Sequence, residues 1–250
     1  MTSAPHPKPR VVAVVQARTG STRLPGKVLL PLAGRSVLGW VLRAAQAADG
    51  VDEVVVATST LPGDDAVAEA AGSAGVRVVR GSESDVVSRF RLAAEVMEAD
   101  AVVRLTADCP LLDPGLIGLV AAAWRTDQRY EYVATTLVRT LPRGLDVELV
   151  TTAALRRLDA EAIGHDRVHV TSALYAPGSV APRLGLVVQP DASDLRVTVD
   201  TGEDLDAVRA LVAELGDRAP AWRQVVDLLR NRPDIAARNA GVRQKALEDG

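Results

Sequence analysis

Short, largely apolar runs alternate with amphipathic segments along the first half of the chain. Residues 11–16 form a Val/Ala run with no polar alternation, the pattern of a strand buried on both faces. A second buried strand reads in VVVATS within 53–59, and further strands read at 76–79 and 101–105. Between these runs lie helical periods. Residues 36–47 place Val37, Leu38, Val41, Leu42 and Ala45 on one face behind a Ser36 cap. Residues 63–74 carry acids near their start, as the helix dipole favours. Residues 84–98 and 114–124 complete the series, with Pro114 suited to a first helical turn. Strand–helix alternation of this kind predicts an α/β fold, a mostly parallel sheet with helices on both faces.

The second half is less regular. Strands are predicted at 131–134 and 147–150, helices at 151–158 and 166–175. Two further strands at 184–189 and 195–199 read as one hairpin, and helices follow at 201–215 and 221–229. A small β-containing lobe is expected to project from the middle region. Residues 1–10 read as a disordered leader, 11–230 as one domain, and 231–250 as a C-terminal helix or tail with no assigned role.

Composition narrows the partners. A net charge of −3 gives no basic excess for nucleic acid. Aromatic residues make up 3% of the chain, too few for a base-stacking surface. Cys109 is the single cysteine, which excludes an internal disulfide and a cysteine-rich zinc site. The leader lacks the apolar core of a signal peptide, and no apolar run approaches ~18 residues. The expected location is therefore cytoplasmic, with no membrane partner.

The candidate chemistry begins directly after the first strand. Gln16-Ala17-Arg18-Thr19-Gly20-Ser21-Thr22-Arg23-Leu24-Pro25-Gly26-Lys27 places two arginines and a lysine within ten residues. Gly20 and Gly26 permit close backbone approach, and Ser21 adds a hydroxyl donor. Clustered cations and backbone N–H groups at a parallel strand's carboxyl end suit a triphosphate. A Walker A motif fails at Val28. A solvated basic loop is the plainer alternative.

Asp108 and Asp200 each follow a predicted strand. Two carboxylates beyond the sheet edge, facing a phosphate loop, are what Mg²⁺ between phosphates requires. Capping of the following helices is the competing reading, and the two are compatible.

Taken together, QARTGSTRLPGKVLLPLAG, VVVATST, GDD, GSESDVVSRF, VVRLTADCPLLDP, LPRGLDVE, HVTSALY and LRVTVDTGEDL resemble the spore-coat polysaccharide biosynthesis protein F family. That family is cytidylyltransferase-like and similar to the CMP-Kdo and CMP-acylneuraminate synthetases. The resemblance spans roughly residues 11–215. It implies a Rossmann-like nucleotidyltransferase fold, a homodimer, and transfer of CMP from CTP to a sugar acid. It also matches Arg18, Ser21, Arg23 and Lys27 to the triphosphate loop, and Asp108 and Asp200 to the metal acids. It makes Asp85 and Arg89 candidates for the nucleotide's ribose or base edge, although one helical turn apart they could simply pair with each other. Val168 departs from the family's usual Glu before the His of the H-V-T segment, within the stretch expected to hold the acceptor.

For the acceptor, Arg143 could fork a carboxylate, Asp146 and Glu148 could accept sugar hydroxyls, and His169 could orient the substrate. A solvated turn and a half-buried structural His are the alternatives. Cys109, without a neighbouring base, is a poor nucleophile candidate. The expected reaction is in-line displacement at the α-phosphorus, with Mg²⁺ on Asp108 and Asp200, and Arg18 and Lys27 neutralising the leaving pyrophosphate. Competing readings are transfer to a sugar phosphate or phosphonate, a nucleotide-sugar-dependent glycosyltransferase, and a non-catalytic nucleotide sensor.

Overall fold

The computed structural model describes residues 8–244; the expected leader lies outside them at 1–7, as does the tail at 245–250. Arg10, counted with the leader, is tied down: its backbone N–H donates to Asp100 and its guanidinium to Glu53 and the Met97 carbonyl.

The apolar runs form the centre of a seven-stranded sheet. β1 (Val11–Gln16), β4 (Glu53–Ser59), β5 (Arg77–Gly81) and β6 (Ala101–Thr106) are mutually parallel in the order β5-β4-β1-β6. β8 (Glu148–Thr151) adds antiparallel to β6, β7 (Tyr132–Ala134) antiparallel to β8, and β9 (Arg183–Gly185) parallel to β7. Side-chain alternation along β1 supplies two cores. Val11, Ala13 and Val15 join one cluster, whereas Val12 and Val14 join the other. The first face is covered by α1 (Val37–Gln46), α2 (Asp65–Ser73), α4 (Pro114–Thr126), α8 (Gly202–Leu215) and α9 (Trp222–Asn231). The second is covered by α3 (Val86–Val96) and α5 (Thr152–Glu161). Capping chemistry sets several of these helix starts. Ser36, Asp113 and Thr201 accept backbone N–H bonds from Gly39, Gly115 and Asp204. Neither Asp108 nor Asp200 acts as such a cap.

Three expectations for the second half need correction. The helix expected over 166–175 is two short turns, α6 (Asp166–His169) and α7 (Ser172–Tyr175), broken where Val170 adopts φ 57°. The strand expected over 184–189 shrinks to β9. Residues 195–199 form no strand and no hairpin with it. Their backbone hydrogen bonds are divided between two loops. The Leu195 carbonyl accepts from Arg143, Val197 N–H donates to the Arg143 carbonyl, and Val199 N–H donates to the Asp108 carbonyl. The small β unit is a hairpin of β2 (Pro31–Leu32) and β3 (Arg35–Ser36), earlier than the middle region where it was expected. After α9 a further turn, α10 (Pro233–Ala236), leads into the last described residues. No helix among the described residues is long and apolar enough to cross a membrane.

The strand order reverses its winding between β1 and β6. Gln16 and Thr106 are register partners at their carboxyl ends, so the loops after both strands open side by side into one crevice.

Candidate functional site

The loop after β1 is anchored before it reaches the crevice. Ala17 is buried and its N–H donates to the Ala57 carbonyl. Thr19 donates through N–H and Oγ1 to Asp64 Oδ1, at 2.6 and 2.8 Å. Gly26, at φ 67°, returns an N–H bond to the Thr19 carbonyl. Between these anchors, Gln16, Arg18, Gly20, Ser21, Arg23 and Lys27 line a cavity of about 420 Å³ that ends on Thr106 and Asp108. Asp64 is a residue the sequence did not single out as an anchor. Its signal is an acid inside GDD, opposite a loop rich in donors.

Lys27 joins the two candidate metal acids. Its Nζ donates to Asp108 Oδ2 at 2.6 Å and to Asp200 Oδ1 at 2.7 Å. Asp200 Oδ2 also meets Arg23 at 3.0 Å and Arg196 at 2.8 Å. Arg196 in turn forks onto the fully buried Asp204, at 2.8 and 2.9 Å. Burial would lower the Lys27 pKa, but Asp108 and Asp200 outweigh it and raise it, so the ammonium stays charged at neutral pH.

Burial would likewise raise the Asp200 carboxyl, but Lys27, Arg196 and Arg23 hold it down to about 2 from an ordinary 3.8. A depressed carboxylate stabilises the fold fully above its unfolded pKa and loses that contribution as the pH falls through its folded one. Acid unfolding should therefore show an Asp200-dependent loss between pH ~4 and ~2. Circular dichroism of Asp200→Asn should lack that component; an acid limb identical to wild type would contradict the pairing.

Do these residues fit a divalent metal? Among the described residues no cluster of three or more metal-ligating side chains exists. Mg²⁺, however, commonly uses one or two carboxylates and completes its shell with phosphate and water. Asp108 and Asp200 converge on one cationic nitrogen, which stands where a hard cation would be held. The donor chemistry fits.

On the other side of Asp108 lies a larger cavity of about 710 Å³. Its lining includes the expected acceptor residues Arg143, Asp146, Glu148 and His169, with Asp108 and Asp200. Asp146 forks with Arg139 at 2.5 and 3.0 Å. Glu148 receives Arg104 at 3.0 Å and Thr171 Oγ1 at 2.5 Å. Arg104 and Glu148 are direct cross-strand partners on β6 and β8. Arg104, Arg196 and Thr171 are functional neighbours that carry little signal in the sequence. Arg104 and Arg196 were visible only as single charges interrupting AVVRLT and LRVTV. His169 is half-buried in the wall.

Asp85 and Arg89 line neither cavity and do not form the expected pair. Asp85 caps α3 by accepting from Ser88 N–H, and meets Arg167 at 2.5 Å. Arg89 is fully buried and donates to the Ser82 carbonyl at 2.7 Å. Both therefore brace the loop before α3. Cys109 is buried in the wall of the larger cavity, and burial together with Asp108 pushes its thiol well up, which keeps it protonated.

A cytidylyltransferase family model matches residues 12–174. The chain is 33% identical over 235 residues to the spore coat polysaccharide biosynthesis protein SpsF of Bacillus subtilis, across 90% of this chain and 96% of that protein. A cytidylyltransferase from Leptospira borgpetersenii matches with a TM-score of 0.88 at 31% identity, covering 91% of this chain and 97% of that one. CMP:2-keto-3-deoxy-manno-octonic acid synthetase, solved with CTP, shares the fold at a TM-score of 0.66 and 21% identity, covering 83% of this chain and all of that one.

Proposed function

The chain belongs to the cytidylyltransferase family, and from that premise we propose that it transfers CMP from CTP to a sugar acid and releases pyrophosphate. The observation that carries the acceptor half is Arg143. Arg104 and Arg139 share its cavity, and each has a carboxylate partner, Glu148 and Asp146. Arg143 has no ion-pair partner among the described residues. Burial, then Arg139 and Arg196, lower its pKa against Asp146 and Asp200, which raise it. A half-buried guanidinium with no carboxylate in contact gains most from an incoming anion, and its fork matches a carboxylate. A sugar acid supplies that group.

In this reading the smaller cavity takes the nucleotide. Arg18, Arg23, Lys27, Ser21 and the backbone around Gly20 cradle the triphosphate. Asp108, common to both cavities, stands where the acceptor hydroxyl meets the α-phosphorus. Asp108 and Asp200 would hold a divalent metal, which when bound supplies positive charge against the phosphate oxygens. As the bond to the β-phosphate breaks, Arg18 and Lys27 offset the charge gathering on pyrophosphate. The acceptor oxygen forms the new P–O bond, and its proton passes to solvent. Rate enhancement comes from positioning and fixed charge, so a strong side-chain base is not required.

Arg143→Ala should raise the KM for the sugar acid by roughly 10- to 100-fold, the loss of a charge-assisted fork. It should leave stabilisation by CTP intact. An unchanged acceptor KM would remove Arg143 from the acceptor site. The nucleotide half is tested without any acceptor, by thermal unfolding with Mg²⁺ and each of CTP, UTP, ATP, GTP and dTTP. A ligand at ~100 times its Kd stabilises by about 2.7 kcal/mol. CTP is expected to give the largest shift; equal shifts for all five, or none, would contradict the reading.

A further inference from the structure

After α10 the chain turns back toward the site. Asn239 is 3% exposed, and its amide nitrogen donates to Asp204 Oδ1 at 2.8 Å and to the Arg196 carbonyl at 3.4 Å. Val242 N–H donates to the Asn239 carbonyl and closes a turn. The next two residues then meet two different arginines. The Arg243 carbonyl accepts from Arg23 Nη1 at 3.2 Å, and Gln244 Oε1 accepts from Arg196 Nη1 at 2.9 Å. These are the two arginines that converge on Asp200 Oδ2. Gln244 also lines the larger cavity at its exposed rim.

Chemistry fixes the orientation of the Gln244 amide. A guanidinium has donors only, so the amide must turn its oxygen toward Arg196. Its NH₂ is left as a donor beside the cavity, and it makes no hydrogen bond among the described residues. The arrangement also bears on Asp200. In the proposed reading Lys27 and Arg23 are shared with the triphosphate. Arg196 lies outside that loop, and Asp204 holds it by two bonds and Gln244 by a third.

We propose that residues 239–244 are a strap that positions Asp200 through Arg23 and Arg196, and that Gln244 presents its amide donor to an oxygen of the acceptor as a specificity-determining residue. The proposal rests on the cytidylyltransferase reading above. Asn239 is the pin of the strap, and Gln244 is its working end.

The test is steady-state kinetics on the full chain with Mg²⁺, CTP, and either 2-keto-3-deoxy-manno-octonic acid or N-acetylneuraminic acid, read as pyrophosphate release. Gln244→Ala removes both the bond to Arg196 and the donor. Gln244→Glu keeps an acceptor for Arg196 but replaces the donor with a negative charge. Both should raise the KM for the sugar acid by about tenfold, the value of one hydrogen bond to a charged or strongly polar group. The KM for CTP should stay within about twofold, and kcat should fall less in Gln244→Glu than in Gln244→Ala, because Gln244→Glu keeps an acceptor for Arg196. Asn239→Ala should lower kcat, since Asp200 loses its brace. Because Gln244 is exposed, its variants report even where the buried Asn239 variant is unstable. Acceptor KM values like wild type in both Gln244 variants, with an active wild type, would overturn the proposal and leave the proposed function standing. A wild type that releases no pyrophosphate with either acid would overturn both.

Discussion

Asp108→Ala is expected to slow pyrophosphate release by roughly 10²–10³-fold, the scale of losing one preorganised electrostatic contact at a reacting centre. Asp108 is the one carboxylate that lines both cavities, so in the proposed function its loss strikes where nucleotide and acceptor would meet. The variant should nevertheless fold. Lys27 keeps Asp200 at 2.7 Å, so no ammonium is stranded, and the Asp108 side chain is 24% exposed in the wild type. The backbone carbonyl of Asp108, which holds Val199 and Thr198, is untouched by the substitution. Initial rates at saturating CTP and acceptor, with a melting curve on the same preparation, separate the two effects. A near-normal rate would remove Asp108 from the proposed metal site, and a collapsed melting curve would show that it holds the fold instead.

Among the described glycines, Gly144→Ala should cost the most stability. Gly144 adopts φ +105°, and an added Cβ would lie 2.5 Å from Thr198 N and 2.8 Å from Val197 C. Those atoms are backbone and cannot swing aside as a side chain would. Left-handed strain and overpacking each cost of the order of 1–3 kcal/mol, so a loss of about 2–5 kcal/mol is expected. The damage is directed, because this is the seam where Arg143 and Arg196 form an isolated parallel bridge. Forcing it open displaces Arg143 on one side and the segment leading to Asp200 on the other. Chemical denaturation should show the fall in midpoint, and acceptor KM should rise in whatever fraction stays folded. A variant with wild-type stability would mean that the seam is loose and does not position the site.

The first half of the fold was legible because its physics is local. Doubly buried parallel strands are rich in Val and Ala, and 11–16, 53–59 and 101–105 are. Ser36 and Pro114 announce their helices by capping chemistry and by fixed φ. The loop from Gln16 to Lys27 stood out because its charges crowd together just past a strand, and the fold does gather Gln16, Arg18, Gly20, Ser21, Arg23 and Lys27 around one cavity. Residues 195–199 misled for a physical reason. LRVTV has the composition of a strand, but composition does not say where its backbone donors go, and here they go to Asp108 and Arg143. The closure of Lys27 onto Asp108 and Asp200 joins positions 81 and 173 residues apart. No periodicity encodes such a contact. Asp85 and Arg89 show the opposite error, in which spacing suggested a local pair and longer-range partners won. Gln244 was invisible because a lone glutamine in an Ala-rich, charged tail carries no pattern, and only the return of the chain past Asn239 gives it a neighbour.

In the proposed function one turnover makes one pyrophosphate and joins CMP to the acceptor. Phosphorus NMR of the wild-type protein with Mg²⁺, CTP and a sugar acid tests this directly, because each phosphorus atom is followed to its product. The three CTP signals should be replaced in equal amounts by pyrophosphate and a single phosphodiester resonance, with no free CMP or CDP at early times. CTP left intact across the sugar acids, or consumption of a nucleotide sugar with release of free CMP or CDP instead, would contradict it.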